Sequence, residues 1–192
     1  MIKIFKTTDS GVLQISEFED NSWISMTNPT TEELFSVSST YKIAPDDLRA
    51  SLDEEERSRI EVEEYYSLIL VDIPTIEERN GKDWYGTIPL AIIICDKVIV
   101  TVCLEDSPVL TAFMDGRVRN FYTHMKTRFI FQILYRNATL YLNYLRIIDR
   151  RSDAIEQKLH EATKNRELIE LLELEKLSLI HISEPTRLRR IS

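Results

Sequence analysis

Four consecutive carboxylates, Asp53-Glu54-Glu55-Glu56, are the residues whose type and spacing could do chemistry in this chain. Hard divalent cations such as Mg²⁺ take oxygen ligands, usually one or two carboxylates with several waters retained. A tract of this kind could hold such an ion at an exposed edge, with Asp53, Glu54 and Glu55 as candidate ligands. The competing reading is a solvated charge run, partly neutralised by Arg57 and Arg59. Consecutive residues on one element do not all point the same way, which favours that second reading on local sequence alone.

Other chemistries fail on inspection. A P-loop needs glycine five residues before Gly81-Lys82, and that position is Ile76. His160-Glu161 starts like a zinc protease motif, but residue 164 is Lys164. His124, His160 and His181 lie far apart, and no glycine-framed Ser or Cys nucleophile is present, so no enzyme is expected. Cys95 and Cys103 sit inside apolar runs without metal-type spacing and read as reduced, buried thiols of a cytosolic protein. A net charge of −8 argues against nucleic acid, which needs a basic face to displace counterions. The most apolar window, Ile88 to Leu104, carries Pro89 and a central Asp96-Lys97 pair, so it reads as a hairpin rather than a membrane span. No signal peptide is recognisable at Met1-Ile2-Lys3-Ile4, and the chain reads as soluble.

Around the acidic tract the chain shows strands, two short helices, more strands, and then only helices. Ile2 and Ile4, then Val12, Leu13, Ile15 and Phe18, form short runs about the turn Thr8-Asp9-Ser10-Gly11, with Ser22–Met26 as a third strand. Thr30 followed by Glu33 is a capping box, and Pro45 with Asp46 and Asp47 opens a second helix. Arg59-Ile60-Glu61-Val62-Glu63 alternates as a strand, and Tyr66 to Pro74 reads as a central one covered on both faces. Residues 75–86 are polar, with a turn at Asn80-Gly81. Ile88–Cys95 and Val98–Cys103 form a hairpin, and Ser107-Pro108 opens a helix. The order implies an α/β (α+β) fold: a three-layer α/β/α sandwich with a mixed sheet, followed by a C-terminal helical hairpin. The boundaries are an α/β sheet domain over 1–106 and a helical extension over 107–180.

From Arg117 to Glu184 there is no glycine and no proline. As one straight helix this stretch would reach roughly 100 Å. Positions 134, 138, 141, 145, 148, 152, 155, 159 and 162 form a heptad seam broken once at Ser152. It fails at Arg166, and a new Leu-rich face begins at Leu168, Leu171 and Leu172. A helical hairpin with its corner near Thr163–Asn165 fits this better than a single rod.

The tract Leu52-Asp53-Glu54-Glu55-Glu56-Arg57-Ser58-Arg59-Ile60-Glu61, followed by Tyr66 to Pro74, resembles the cytoplasmic domain of CorA-type magnesium transporters of the smaller bacterial branch. Trp23-Ile24 with Asn28-Pro29-Thr30, Val100-Thr101-Val102, and Asn165-Arg166-Glu167-Leu168 running into Leu172-Glu173-Leu174-Glu175-Lys176 lie in family order. The resemblance covers roughly residues 1–177.

It implies a three-layer α/β/α domain followed by helices, on the cytoplasmic face of a bacterial membrane. In the family a long stalk helix leads to two membrane helices, five subunits form a funnel, and a Tyr-Gly-Met-Asn signature sits at the pore mouth. Such transporters move Mg²⁺, and some Co²⁺ or Ni²⁺; close relatives export Zn²⁺. Regulatory Mg²⁺ between subunits holds the channel closed. The signature and both membrane helices are absent here, so the resemblance implies a regulatory portion whose homopentamer and membrane contacts need the missing helices. The regulatory carboxylate matches the segment Ala50 to Asp53, which points to Asp53 or a neighbour. Residues 181–192, basic and broken by Pro185, read as a non-native tail or, alternatively, as a basic tail for a membrane surface. The rival class is a soluble module that binds a partner helix through its Leu-rich face.

Overall fold

The computed structural model describes residues 1–79, 81–161, 169–172 and 174. The corner near 163–165 and the tail 181–192 lie outside the described residues. Met1–Thr75 with Thr87–Leu140 form one compact unit, and Ile76–Gly86 with the described residues from Tyr141 form a second.

The first unit is built on a seven-stranded mixed sheet. Its strands are β1 (Ile2–Thr8), β2 (Gly11–Ile15), β3 (Trp23–Thr27), β4 (Arg59–Val62), β5 (Tyr66–Arg79), β6 (Lys82–Cys95) and β7 (Ile99–Cys103), in the order β2-β1-β3-β7-β6-β5-β4. β3 runs parallel to β7, with Trp23 opposite Ile99 and Met26 opposite Val102. β1–β2, β1–β3, β4–β5 and β6–β7 are antiparallel. β5 is therefore an interior strand, between β6 and the edge strand β4. β5 and β6 are both longer than the sequence suggests. Residues 75–79 and 82–86 continue them, because the polarity of Glu77, Glu78 and Arg79 marks exposure and not a turn.

The sheet's two faces carry the helices α1 (Thr31–Tyr41), α2 (Pro45–Arg49) and α3 (Pro108–Met114) and the first part of α4 (Lys126–Glu161). Leu34 and Val37 of α1 and Leu48 of α2 pack with Ile24, Met26, Leu68, Leu70, Ile93 and Val100 on one face. Val109, Leu110 and Phe113 of α3 and Phe129 and Ile133 of α4 pack with Trp23, Ile73, Leu90 and Ile92 on the other. Strand side chains alternate between faces, so β5 sends Leu68 and Leu70 one way and Ile73 the other. This is the three-layer α/β/α arrangement.

Local chemistry starts the helices where the residues say it should. Thr30 accepts from the Glu33 amide at 3.2 Å, and Glu33 accepts from the Thr30 amide at 2.9 Å, closing the capping box. Glu33 also takes the Ile2 amide and the N-terminal ammonium. Burial works to raise its pKa, but these hydrogen bonds and that charge outweigh it and hold the carboxyl below its usual value. Thr30→Ala is expected to cost about 1 kcal/mol, read as a lower urea midpoint at unchanged slope. Ser107 caps α3 by accepting from Val109, with Pro108 as the first helical residue.

The breaker-free stretch does not begin as helix. Residues 117–125 are irregular: Asn120 adopts φ 55°, and Phe121 turns inward to meet Phe113 edge-on and Phe129 at a tilt. Thr123 is buried and exchanges hydrogen bonds with Thr7 on β1. Tertiary contacts override helix propensity here.

α4 also corrects the heptad seam in its first half. Ala138 is exposed, and the buried face runs through Phe129, Ile133 and Asn137. Asn137 donates its side-chain amide to the Asp72 carbonyl at 2.9 Å. A buried asparagine does not register as a core position by pattern, which hid this face. From Tyr141 to Ile155 the seam holds: Leu145, Ser152 and Ile155 are half-buried and Ile148 is buried, while the side chains of 159 and 162 lie outside the described residues. Within the second unit, Tyr85 meets Tyr144 edge-on at 5.3 Å, and Arg151 pairs with Asp83 at 2.7 Å while lying over the Tyr85 ring.

Candidate cation site

The acidic tract is held from behind by α2. Ala44, just before α2, donates its amide to the Tyr66 hydroxyl, which in turn donates to Asp47 in the first turn of the helix. Burial, and then the hydrogen bond to Asp47, push the Tyr66 phenol up to about 12, so it stays a neutral donor. Leu48 is fully buried, and one 3₁₀ turn, Ala50–Leu52, follows directly with Ala50 and Ser51 buried. The chain therefore reaches Asp53 from an anchored base.

Beyond that base the four carboxylates separate by role. Asp53 caps the turn, and its Oδ1 accepts the Glu55 amide at 3.0 Å. The Asp53 carbonyl accepts from the Glu56 amide at 3.1 Å, so residues 53–56 form a tight turn rather than an extended run. Glu56 is bound by Arg59, which also binds Glu61 at 2.8 Å. Burial works to lower the pKa of Arg59; Glu61 and Glu56 more than offset it and hold the guanidinium charged. Glu56 is thus neutralised, as the competing reading anticipates for part of the tract. Asp53, Glu54 and Glu55 stay exposed.

The turn brings three carboxyl groups to one exposed segment but does not close them into a cage. Among the described residues, no group of three or more His, Cys, Asp or Glu side chains is arranged to hold a metal ion. The donor set still fits a hydrated Mg²⁺: hard oxygens, exposed, with one oxygen of Asp53 already engaged. An ion here would keep most of its water or take further oxygens from a second molecule. Both cysteines are free and buried; burial raises each thiol to about 11, which makes them poor metal ligands as they stand.

The neighbouring strand β4 was legible as a strand but not for its facing. Arg59 and Glu61 are half-buried, whereas Ile60 and Val62 are 72% and 78% exposed. Alternation reveals the period of a strand, not which of its faces is covered.

The fold agrees with comparisons to known proteins. The model of the CorA-like Mg²⁺ transporter protein family matches residues 18–190. The chain belongs to this family. It is 29% identical over 141 residues to the cobalt/magnesium transport protein CorA of Methanocaldococcus jannaschii, covering 70% of this chain and 41% of that protein. The CorA-family chain therefore spans less than half the length of that relative. The soluble domain of CorA from the same organism superposes with a TM-score of 0.76 at 22% identity, over 92% of this chain and 71% of that one. The complete CorA magnesium transporter of that organism superposes at 0.75 and 19% identity, over 92% of this chain and 56% of that one. At these identities the superpositions carry the fold. The family is one of transporters, not of enzymes. No helix among the described residues is long and apolar enough to cross a membrane.

Proposed function

We propose that this chain is the cytoplasmic sensor portion of a CorA-like divalent-cation channel, and that Asp53, Glu54 and Glu55 supply carboxylates to a regulatory Mg²⁺ shared between subunits. The observation that carries the reading is the turn itself. In a chain of this family, three exposed carboxylates sit on an anchored segment while the fourth, Glu56, is withdrawn by Arg59. The family match supports a role in cation transport, with Mg²⁺ as the first candidate.

The mechanism is electrostatic. Like charges brought together at a subunit boundary repel, and an ion between them offsets that repulsion. Mg²⁺ then binds the closed arrangement better than the open one, and its loss shifts the population toward opening. The domain needs no chemistry of its own. Hydrated binding suits a sensor, because weak affinity keeps the site responsive to free Mg²⁺.

Thermal melting against Mg²⁺ tests this. Raising the ion to ten times its dissociation constant should stabilise the chain by about 1.4 kcal/mol, a rise in melting temperature of roughly 3–6 °C. The variant carrying Asp53→Asn, Glu54→Gln and Glu55→Gln should melt at a temperature independent of Mg²⁺. An equal response from that variant, or from NaCl at matched ionic strength, would remove these residues from the role.

A further inference from the structure

The outer edge of β4 is exposed at the end of the sheet order. β4 ends the sheet order, so one side of it has no neighbouring strand among the described residues. Its pairing with β5 decides which backbone groups face that side. Glu63 donates its amide to the Tyr66 carbonyl at 2.9 Å, and the register sets Glu61 opposite Leu68 and Arg59 opposite Leu70. In an antiparallel pair, alternate residues exchange the ladder bonds. The odd-numbered residues of β4 therefore bond to β5, and the N–H and C=O groups of Ile60 and Val62 point outward.

The side chains of these same two residues are the apolar ones, and they are 72% and 78% exposed. An edge strand with free ladder groups and exposed β-branched side chains is a template for another strand. Edges are commonly blunted by charged side chains, lysine above all, by proline or by a bulge, and the charges of β4, Arg59 and Glu61, restrict its partner to one of complementary charge. Arg59–Val62 contains no lysine or proline, and its register with β5 is unbroken.

Charge decides the kind of occupant. Asp53–Glu64 carries seven carboxylates against two arginines, and both arginines lie at or before the start of β4. A second copy of β4 in antiparallel register, with Ile60 opposite Val62, would set Arg59 against Glu63 but Glu61 against Glu61, and would bring together two segments in each of which carboxylates outnumber arginines seven to two. Like charges directly opposite are destabilising. We infer that the β4 edge accepts an extended segment in which aliphatic or β-branched residues alternate with lysine or arginine. The aliphatic residues would lie beside Ile60 and Val62, and the cations would face Glu61 and Glu63.

The probe is an end-blocked heptapeptide of alternating lysine and valine, titrated into the ¹⁵N-labelled chain at low salt. The amides of Ile60 and Val62 should shift first. Binding should weaken at least tenfold in Val62→Pro, which loses only an outward N–H. It should also weaken at least tenfold in the double variant Ile60→Lys and Val62→Lys, which leaves the backbone unchanged. A peptide of the same sequence N-methylated at alternate residues, so that its inward N–H groups are removed, should bind at least tenfold more weakly to the unaltered chain, which tests strand pairing without any variant. Three results would overturn the inference. The first is no binding. The second is equal binding of the N-methylated peptide, which means general adsorption to an acidic surface. The third is concentration-dependent self-association abolished by Val62→Pro, which would give the edge to a second copy.

Discussion

Trp23→Ala should remove most of the stability of this domain. Trp23 is fully buried at the start of β3, and its ring lies 5.1 Å from Phe5, 5.1 Å from Phe129, 6.1 Å from Phe121 and 6.3 Å from Phe113. One side chain thus joins β1, β3, α3, the 117–125 segment and α4. Truncating a buried tryptophan costs about 3–5 kcal/mol in lost burial and cavity. Its indole N–H also donates to the Thr101 hydroxyl at 2.9 Å, and Thr101 is fully buried. Leaving that group unpaired adds about 1–3 kcal/mol. Against a total of about 5–15 kcal/mol for a typical domain, the variant should be largely unfolded or close to it. Urea denaturation followed by far-ultraviolet dichroism measures this. Trp23→Phe keeps most of the ring and should retain a cooperative transition; a loss below about 1 kcal/mol in Trp23→Ala would contradict the packing described.

Leu68→Ala probes the opposite face of the sheet. Leu68 is fully buried on β5 and packs in the cluster that includes Leu34, Val37 and Leu48 beneath α1 and α2. The expected cost is about 2–5 kcal/mol, set by how far the site collapses. The two substitutions sit in separate clusters on opposite faces, so milder versions, Trp23→Phe and Leu68→Val, should combine with an interaction energy below about 0.5 kcal/mol. A larger coupling would mean that the two cores act as one. Leu68→Ala also has a consequence for the acidic turn. Leu68 shares its cluster with Leu48 and Tyr66, which anchor the segment leading to Asp53. Loosening that base should broaden the amide signals of residues 50–56 even where the fold survives.

Features set by local chemistry were legible in the sequence. The Thr30–Glu33 box, Pro45 with its acidic turn, the Ser107-Pro108 cap and the hairpin at Asp96-Lys97 all depend on residues within a few positions of one another. Features set by distant partners were not. Residues 117–125 avoid helix because Phe121 and Thr123 have buried partners elsewhere in the unit. The core face of α4 runs through Asn137, whose partner is a carbonyl on β5. The position of β5 beside the edge depends on sheet order, which no single strand encodes. The acidic tract divides the same way. Its residues and the neutralising role of Arg59 could be read directly. The folding of residues 53–56 into a turn, and their anchoring through Tyr66 and Asp47, could not.

The most direct test of the cation-sensor account is the mass of the chain in solution as Mg²⁺ is varied. If Asp53, Glu54 and Glu55 share an ion between subunits, light scattering should show mass rising over the millimolar range and returning when EDTA removes the ion. The same titration on the Asp53→Asn, Glu54→Gln, Glu55→Gln variant should be flat. A mass that stays constant up to tens of millimolar Mg²⁺, a ceiling of about the order expected for exposed carboxylate sites, would contradict the account.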